Sequence, residues 1–141
     1  VIEYVADPGV VLKWYLPEVL SEECRAAFDS GATFHAPDVL FAQVGNALWR
    51  RVRAAELKPE IARQILDNLK RLPLEITPTE GLLREAIEIS TITSRTFYES
   101  LYFVLAIRRD TVVLTADRRW HSLVATGPMK QYVKLVTDLS V

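Results

Sequence analysis

Three acidic residues of this 141-residue chain stand where a carboxylate can do chemistry. Asp7 closes the apolar run Val1 to Ala6, and Asp117 follows the β-branched run Thr111 to Leu114. Each is the second member of an Ala-Asp pair, Ala6-Asp7 and Ala116-Asp117. Glu99 lies in the first turn of a segment whose continuation, Leu101 to Ile107, is apolar on nearly every side and reads as a buried helix. Three carboxylates drawn to one edge of a sheet repel one another, and a divalent cation relieves the repulsion. A hard, all-oxygen site suits Mg²⁺ or Mn²⁺. Each acid also has a purely structural use. Asp7 before Pro8 and Asp117 before the last helix suit N-caps, and Thr96-x-x-Glu99 matches a capping box. The two uses are compatible, because a helix N-terminus favours the ionised carboxylate that a metal needs.

The elements that must position these acids follow from the hydrophobic pattern. Strands are expected at Val1 to Ala6, Thr33 to Ala36, Leu74 to Ile76, Thr111 to Leu114 and Tyr132 to Val136. Helices are expected at Pro8 to Leu16, Ser21 to Phe28 with Ser21 as cap, Val39 to Ala55 with Asp38 as cap, and Pro59 to Arg71. Further helices run from Thr79 (or Thr77) to Thr91, through the central apolar segment, and from Asp117 to Ala125. Leu40, Val44, Ala47, Leu48 and Val52 make one apolar stripe, and Gln43, Asn46 and Arg50 fall on a polar stripe beside it. Ile61, Ile65, Leu66 and Leu69 point inward, and Leu83, Ala86, Ile87 and Ser90 share one side of their helix. Strands separated by helices give an α/β protein with a parallel sheet and helices on both faces. Ligands of such sheets bind beyond the carboxyl ends of the strands, where Asp7 and Asp117 lie.

Length and composition bound the rest. The chain is expected to be one domain, residues 1–141, with a core large enough to fold without disulfide or structural metal. The single cysteine, Cys24, forms no internal disulfide and fits a cytoplasmic location. No apolar run reaches the length of a membrane span, and no signal-peptide pattern opens the sequence. The net charge of −1 argues against a generic nucleic-acid binder, so any such contact must use a local patch. The candidates are Arg50-Arg51-Arg53, Arg108-Arg109 and Arg118-Arg119, each of which also reads as a solvated helix end. His35, after a strand, and His121 lack partners at zinc spacing. No glycine-rich phosphate loop is present. Trp14, Trp49 and Trp120 suit core or interface packing better than base stacking, and Cys24 suits packing.

Taken together, these residues resemble the PIN-domain family, and in particular the small VapC-like ribonucleases of bacterial toxin–antitoxin pairs. Asp7-Pro8-Gly9-Val10-Val11-Leu12-Lys13-Trp14 resembles the family's opening. Ala36-Pro37-Asp38-Val39-Leu40 and Asn46-Ala47-Leu48 resemble its central helix. Thr96-Phe97-Tyr98-Glu99-Ser100-Leu101-Tyr102 resembles its third acidic motif, and Leu114-Thr115-Ala116-Asp117 its fourth. The resemblance implies a three-layer α/β/α sandwich with a mainly parallel central sheet. It implies Mg²⁺- or Mn²⁺-dependent hydrolysis of RNA, a homodimer, and neutralisation by a small antitoxin protein. On this reading Asp7, Glu99 and Asp117 hold the metal, Gln43 assists, and Asn46 and Thr115 orient ligands or the attacking water.

Three positions depart from the family pattern. Gln43 stands where an acid is usual, Glu99 where Asp is usual, and Gly9 brings no hydroxyl. A second expectation therefore stands beside the first: a catalytically weakened or inactive PIN-like binding module. A phosphotransfer domain with Asp7 as nucleophile fits poorly, because the phosphatase pattern needs an acid at the position of Gly9.

Overall fold

The computed structural model describes residues 2–139. Five strands form one parallel sheet in the order β3-β2-β1-β4-β5. They are β1 (Glu3–Ala6), β2 (Thr33–Pro37), β3 (Leu74–Thr77), β4 (Val113–Thr115) and β5 (Val133–Leu135). Seven helices connect and flank them: α1 (Pro8–Lys13), α2 (Ser21–Asp29), α3 (Val39–Arg53), α4 (Pro59–Leu69), α5 (Leu83–Thr93), α6 (Phe97–Arg108) and α7 (Arg118–Ala125). This is the α/β sandwich that the alternation of strand and helix signals implies. The expected first strand is trimmed: Val1 lies outside the described residues, and Ile2 is exposed and precedes the strand.

Chain order runs outward from β1 to β2 and β3, then crosses back to place β4 on the other side of β1. The direction of winding reverses between β1 and β4, and that reversal opens a crevice at their carboxyl ends. The register Ala6↔Leu114 puts Asp7 level with Thr115. The Asp7 amide donates to the Leu114 carbonyl (3.3 Å), which fixes the backbone at the crevice.

Helix α6 anchors the core. Every residue from Ser100 to Ala106 is buried, as a helix with no polar face requires. It packs against β1, β2, β4 and α5. Its two interior hydroxyls are both satisfied: Ser100 donates to the Thr96 carbonyl (2.9 Å) and meets Ser90 of α5 (2.8 Å), and Tyr102 donates to Gln43 (2.6 Å). Phe103 is fully buried and stacks on Trp120 of α7, ring centroids 5.8 Å apart.

Several local expectations are corrected. Leu20, in a left-handed conformation, occupies the cap of α2, and Ser21 instead donates to the Leu16 carbonyl (2.6 Å). Asp38 does not cap α3: its carboxylate accepts from Thr79, and the Thr79 hydroxyl takes the Val39 amide (3.3 Å) in its place. Thr79 therefore serves the start of α3, and a short 3₁₀ turn, Thr79–Leu82, precedes α5. On α5 the inward face is Ala86 and Ile89, next to Leu82, while Leu83 and Ile87 are exposed. Ile61 of α4 is likewise exposed, and Ala62 takes the inward place. His35 lies within β2 rather than after it, buried, its Nε2 2.8 Å from Glu3 Oε1.

Candidate metal centre and its surroundings

Asp7, Gln43, Glu99 and Asp117 line one cavity of about 370 Å³, together with Pro8, Tyr98, Tyr102 and Trp120. Residues separated by more than a hundred positions meet because the crevice between β1 and β4 receives the start of α1, the start of α6 and the start of α7. Both strand-end acids also cap the helices that follow them. Asp7 Oδ1 accepts from the Val10 amide (2.8 Å), and Asp117 Oδ1 from the Trp120 amide (2.9 Å). Capping and site membership coexist, as the helix-dipole argument requires.

Glu99 is different. Its amide donates to the Thr96 hydroxyl (3.1 Å), the first half of a capping box. The reciprocal half is not made. The carboxylate enters the cavity instead, where Oε2 is buried without a hydrogen-bond partner and the Arg95 guanidinium stands 3.8 Å away. An unsatisfied buried carboxylate oxygen is costly, and a cation removes that cost.

Burial and the Asp117 charge push the Asp7 carboxyl up to about 6, against hydrogen bonds from Thr115, Val10 and Gly9 that favour its ionised form. Thr115 is fully buried: its hydroxyl favours the ionised form of Asp7 and accepts from the Asp117 amide (3.1 Å). Gly9 leaves room for this arrangement, since a Cβ there would lie 3.3 Å from Asp7 Oδ1.

The remaining expected residues fall in different places. Gln43 reaches the cavity, but its Oε1 accepts from the Tyr102 hydroxyl (2.6 Å). Asn46 lines the adjoining groove between α1 and α3 rather than the acidic cavity. Tyr98 and Tyr102 also line the cavity, and their only signal in the sequence is their placement one before and three after Glu99. The arginine clusters divide. Arg51 pairs with Glu18 (2.8 Å), Arg108 with Glu85 (2.6 Å) and Arg109 with Glu3 (2.7 Å). Arg50, Arg53, Arg118 and Arg119 make no ion pair among the described residues. Arg53 lies over the exposed Trp49 ring at 5.6 Å. Trp14 packs on Phe28 and Phe34 and donates to the Cys24 carbonyl (2.9 Å). Burial pushes the Cys24 thiol up to about 12, so it is inert packing.

The donor set is all oxygen, and one buried carboxylate oxygen makes no hydrogen bond, so the residues fit a hard divalent cation. Among the described residues no group of three acids, histidines or cysteines stands close enough to be a ready-made coordination sphere. The acids share a cavity rather than a preassembled cage.

A parallel sheet with acids gathered at its winding reversal is the plan of α/β proteins that bind a ligand at the carboxyl ends of their strands. The PIN domain model matches residues 4–125, and the chain belongs to the PIN-domain family. Its relatives narrow this further. It is 37% identical over 139 residues to ribonuclease VapC1 of Mycobacterium tuberculosis, covering 96% of this chain and 92% of that one. It is 26% identical over 120 residues to ribonuclease VapC3 of Pyrobaculum aerophilum, covering 84% and 92%. Two crystal structures share the fold. PAE2754 from Pyrobaculum aerophilum superposes with a TM-score of 0.63 at 20% identity, covering 96% of this chain and 85% of that one. VapBC2 from Rickettsia felis, bound to a DNA fragment from its promoter, superposes with a TM-score of 0.61 at 12% identity, covering 95% and 98%.

Proposed function

We propose that this chain is a metal-dependent ribonuclease, the toxin component of a toxin–antitoxin pair, acting as a single domain. Family membership and the VapC relatives, which match it over most of its length, support the activity. The observation that carries the site is the buried Glu99 oxygen, which makes no hydrogen bond and has only the Arg95 guanidinium 3.8 Å away, in a cavity shared with Asp7 and Asp117. These three carboxylates would hold Mg²⁺ or Mn²⁺. When bound, the cation supplies neutralisation of the phosphoryl oxygens and a lowered pKa for a water. The chain's own groups do the rest. Asp7 must be ionised to serve, and the Thr115 hydroxyl favours that state. The same hydroxyl holds the Asp117 backbone, so the two acids keep a fixed relation. Trp120 walls one side of the cavity. The unpaired arginines Arg50, Arg53, Arg118 and Arg119 supply the local positive charge that a net charge of −1 withholds.

The proposal extends to a homodimer, to a small antitoxin partner and to the cytoplasm. No helix among the described residues is long and apolar enough to cross a membrane.

One observation favours a second reading, a binding module that no longer cleaves. The Gln43 oxygen that would assist a metal is occupied by Tyr102. Calorimetry with Mn²⁺ at neutral pH separates the two. Binding at micromolar to sub-millimolar levels that is lost in Asp7→Asn supports the ribonuclease, and cleavage assays on structured RNAs then follow. Absence of binding in both proteins leaves the module.

A further inference from the structure

Beside the acidic cavity runs a wider groove, about 670 Å³, between α1 and α3. The two adjoin, sharing Pro8, Gln43 and Tyr98 in their walls. Leu12, Val39 and Ala42 give the groove an apolar floor. Arg51 also lines it, but its charge is matched by Glu18. Arg50 is exposed, lines the groove and has no acidic partner among the described residues.

Tyr98 stands where the two spaces meet. It is 58% exposed although its neighbour Glu99 is turned into the cavity. An aromatic ring held in solvent on a rigid helix, at the mouth of a groove that carries an unpaired arginine, is a stacking platform for an unpaired base. Arg50 lies two helical turns beyond Gln43, about 10 Å along the axis. That distance is spanned by roughly three stacked nucleotides.

We infer that this groove is the subsite for single-stranded nucleotides flanking the scissile phosphate, with Tyr98 stacking the base nearest the acids and Arg50 holding a phosphate farther along. The inference rests on the ribonuclease reading and adds its substrate contacts. Charge complementarity selects the occupant. An acidic peptide would suit Arg50 and be repelled by Asp7 and Asp117, and a basic peptide would meet the reverse. A phosphodiester chain suits both ends: one phosphate meets Arg50, and the reacting phosphate meets the cation between the acids. The apolar floor accepts ribose and base faces, and a duplex offers neither in this form.

The test is fluorescence anisotropy of a short labelled single-stranded RNA of mixed sequence, titrated with the full chain in EDTA so that binding is read without cleavage. Tyr98→Ala should weaken binding about tenfold, and Tyr98→Phe should restore it, since stacking needs the ring and not the hydroxyl. Arg50→Ala should flatten the dependence of log affinity on log salt by about 0.7. Arg63→Ala, at a site paired with Glu60 on α4, should change neither quantity. Wild-type affinity and salt slope in both Tyr98→Ala and Arg50→Ala would assign the groove to a protein ligand and overturn the inference. Loss in Tyr98→Ala without rescue by Tyr98→Phe would overturn the stacking role. The ribonuclease reading is judged separately by Mn²⁺ calorimetry on Asp7→Asn, which depends on neither side chain.

Discussion

The Tyr102 hydroxyl donates to the Gln43 amide oxygen at 2.6 Å and so ties α6 to α3 across the floor of the acidic cavity. Burial pushes the Tyr102 hydroxyl far above its usual range, so it remains a donor at any working pH. A carboxylate at position 43 would accept the same bond with one oxygen and offer the other, with its charge, to a cation. Gln43→Glu is therefore expected to tighten Mn²⁺ binding by about tenfold or more, read by calorimetry. Unchanged affinity would mean that position 43 takes no part in the metal site.

The raised Asp7 carboxyl makes a stability prediction with a definite sign. Its folded value is about 6 against an ordinary 3.8, so the folded protein holds the proton more tightly than the unfolded chain. This contribution is fully present below the ordinary value and is lost as pH rises through about 6. The shift corresponds to at most about 3 kcal/mol, reduced by solvent access. Asp7→Asn keeps the cap on Val10 and carries no charge. In EDTA it should become progressively more stable than the parent chain between about pH 4 and pH 7. Saturating Mn²⁺ should narrow or reverse the gap. Denaturant unfolding across that range decides it, and a gap that does not vary with pH would contradict the assignment.

Glu99→Gln separates a capping role from a ligand role. The cap bond uses the Glu99 amide, which the substitution keeps. Stability in EDTA should be at least that of the parent, because the substitution removes a buried charge that lacks a hydrogen bond. Mn²⁺ affinity should fall at least tenfold. Unchanged metal affinity would remove Glu99 from the ligand set.

Glu18 receives both Arg51 Nε (2.9 Å) and Nη2 (2.8 Å), which pins the loop after α1 to α3. Paired, planar geometry raises such a bridge toward the upper end of partly exposed ion pairs. A double-mutant cycle of Arg51→Ala and Glu18→Gln by urea unfolding should give a coupling of about 1 kcal/mol. Coupling near zero would make the bridge incidental to the fold.

The order of elements and the location of the acids were legible because each rests on local pattern. Strand runs ending at Asp7 and Asp117 carry their own stop signals, and the apolar run after Glu99 leaves only burial as its solution. What sequence did not reveal was long-range pairing. Thr79 replaces Asp38 at the start of α3 from 41 residues away. Arg109 reaches Glu3 across 106 positions, which removes it from any nucleic-acid patch. On α5 the helical period allows two adjacent stripes, and packing against α6 chose Ala86 and Ile89 over Leu83 and Ile87. Tyr102 and Gln43 are neighbours only because α6 and α3 flank the same crevice.

Two of the proposed ligands are also N-caps, and this has a genetic consequence. Replacing Asp7 or Asp117 with Ala removes a helix cap along with the charge, whereas Asn keeps the cap and loses only the charge. Asp and Asn codons differ at a single base. Under selection against the activity, the missense changes that silence the chain while leaving it folded are those that write Asn at position 7 or 117. The surviving cells would go on making an intact, folded chain.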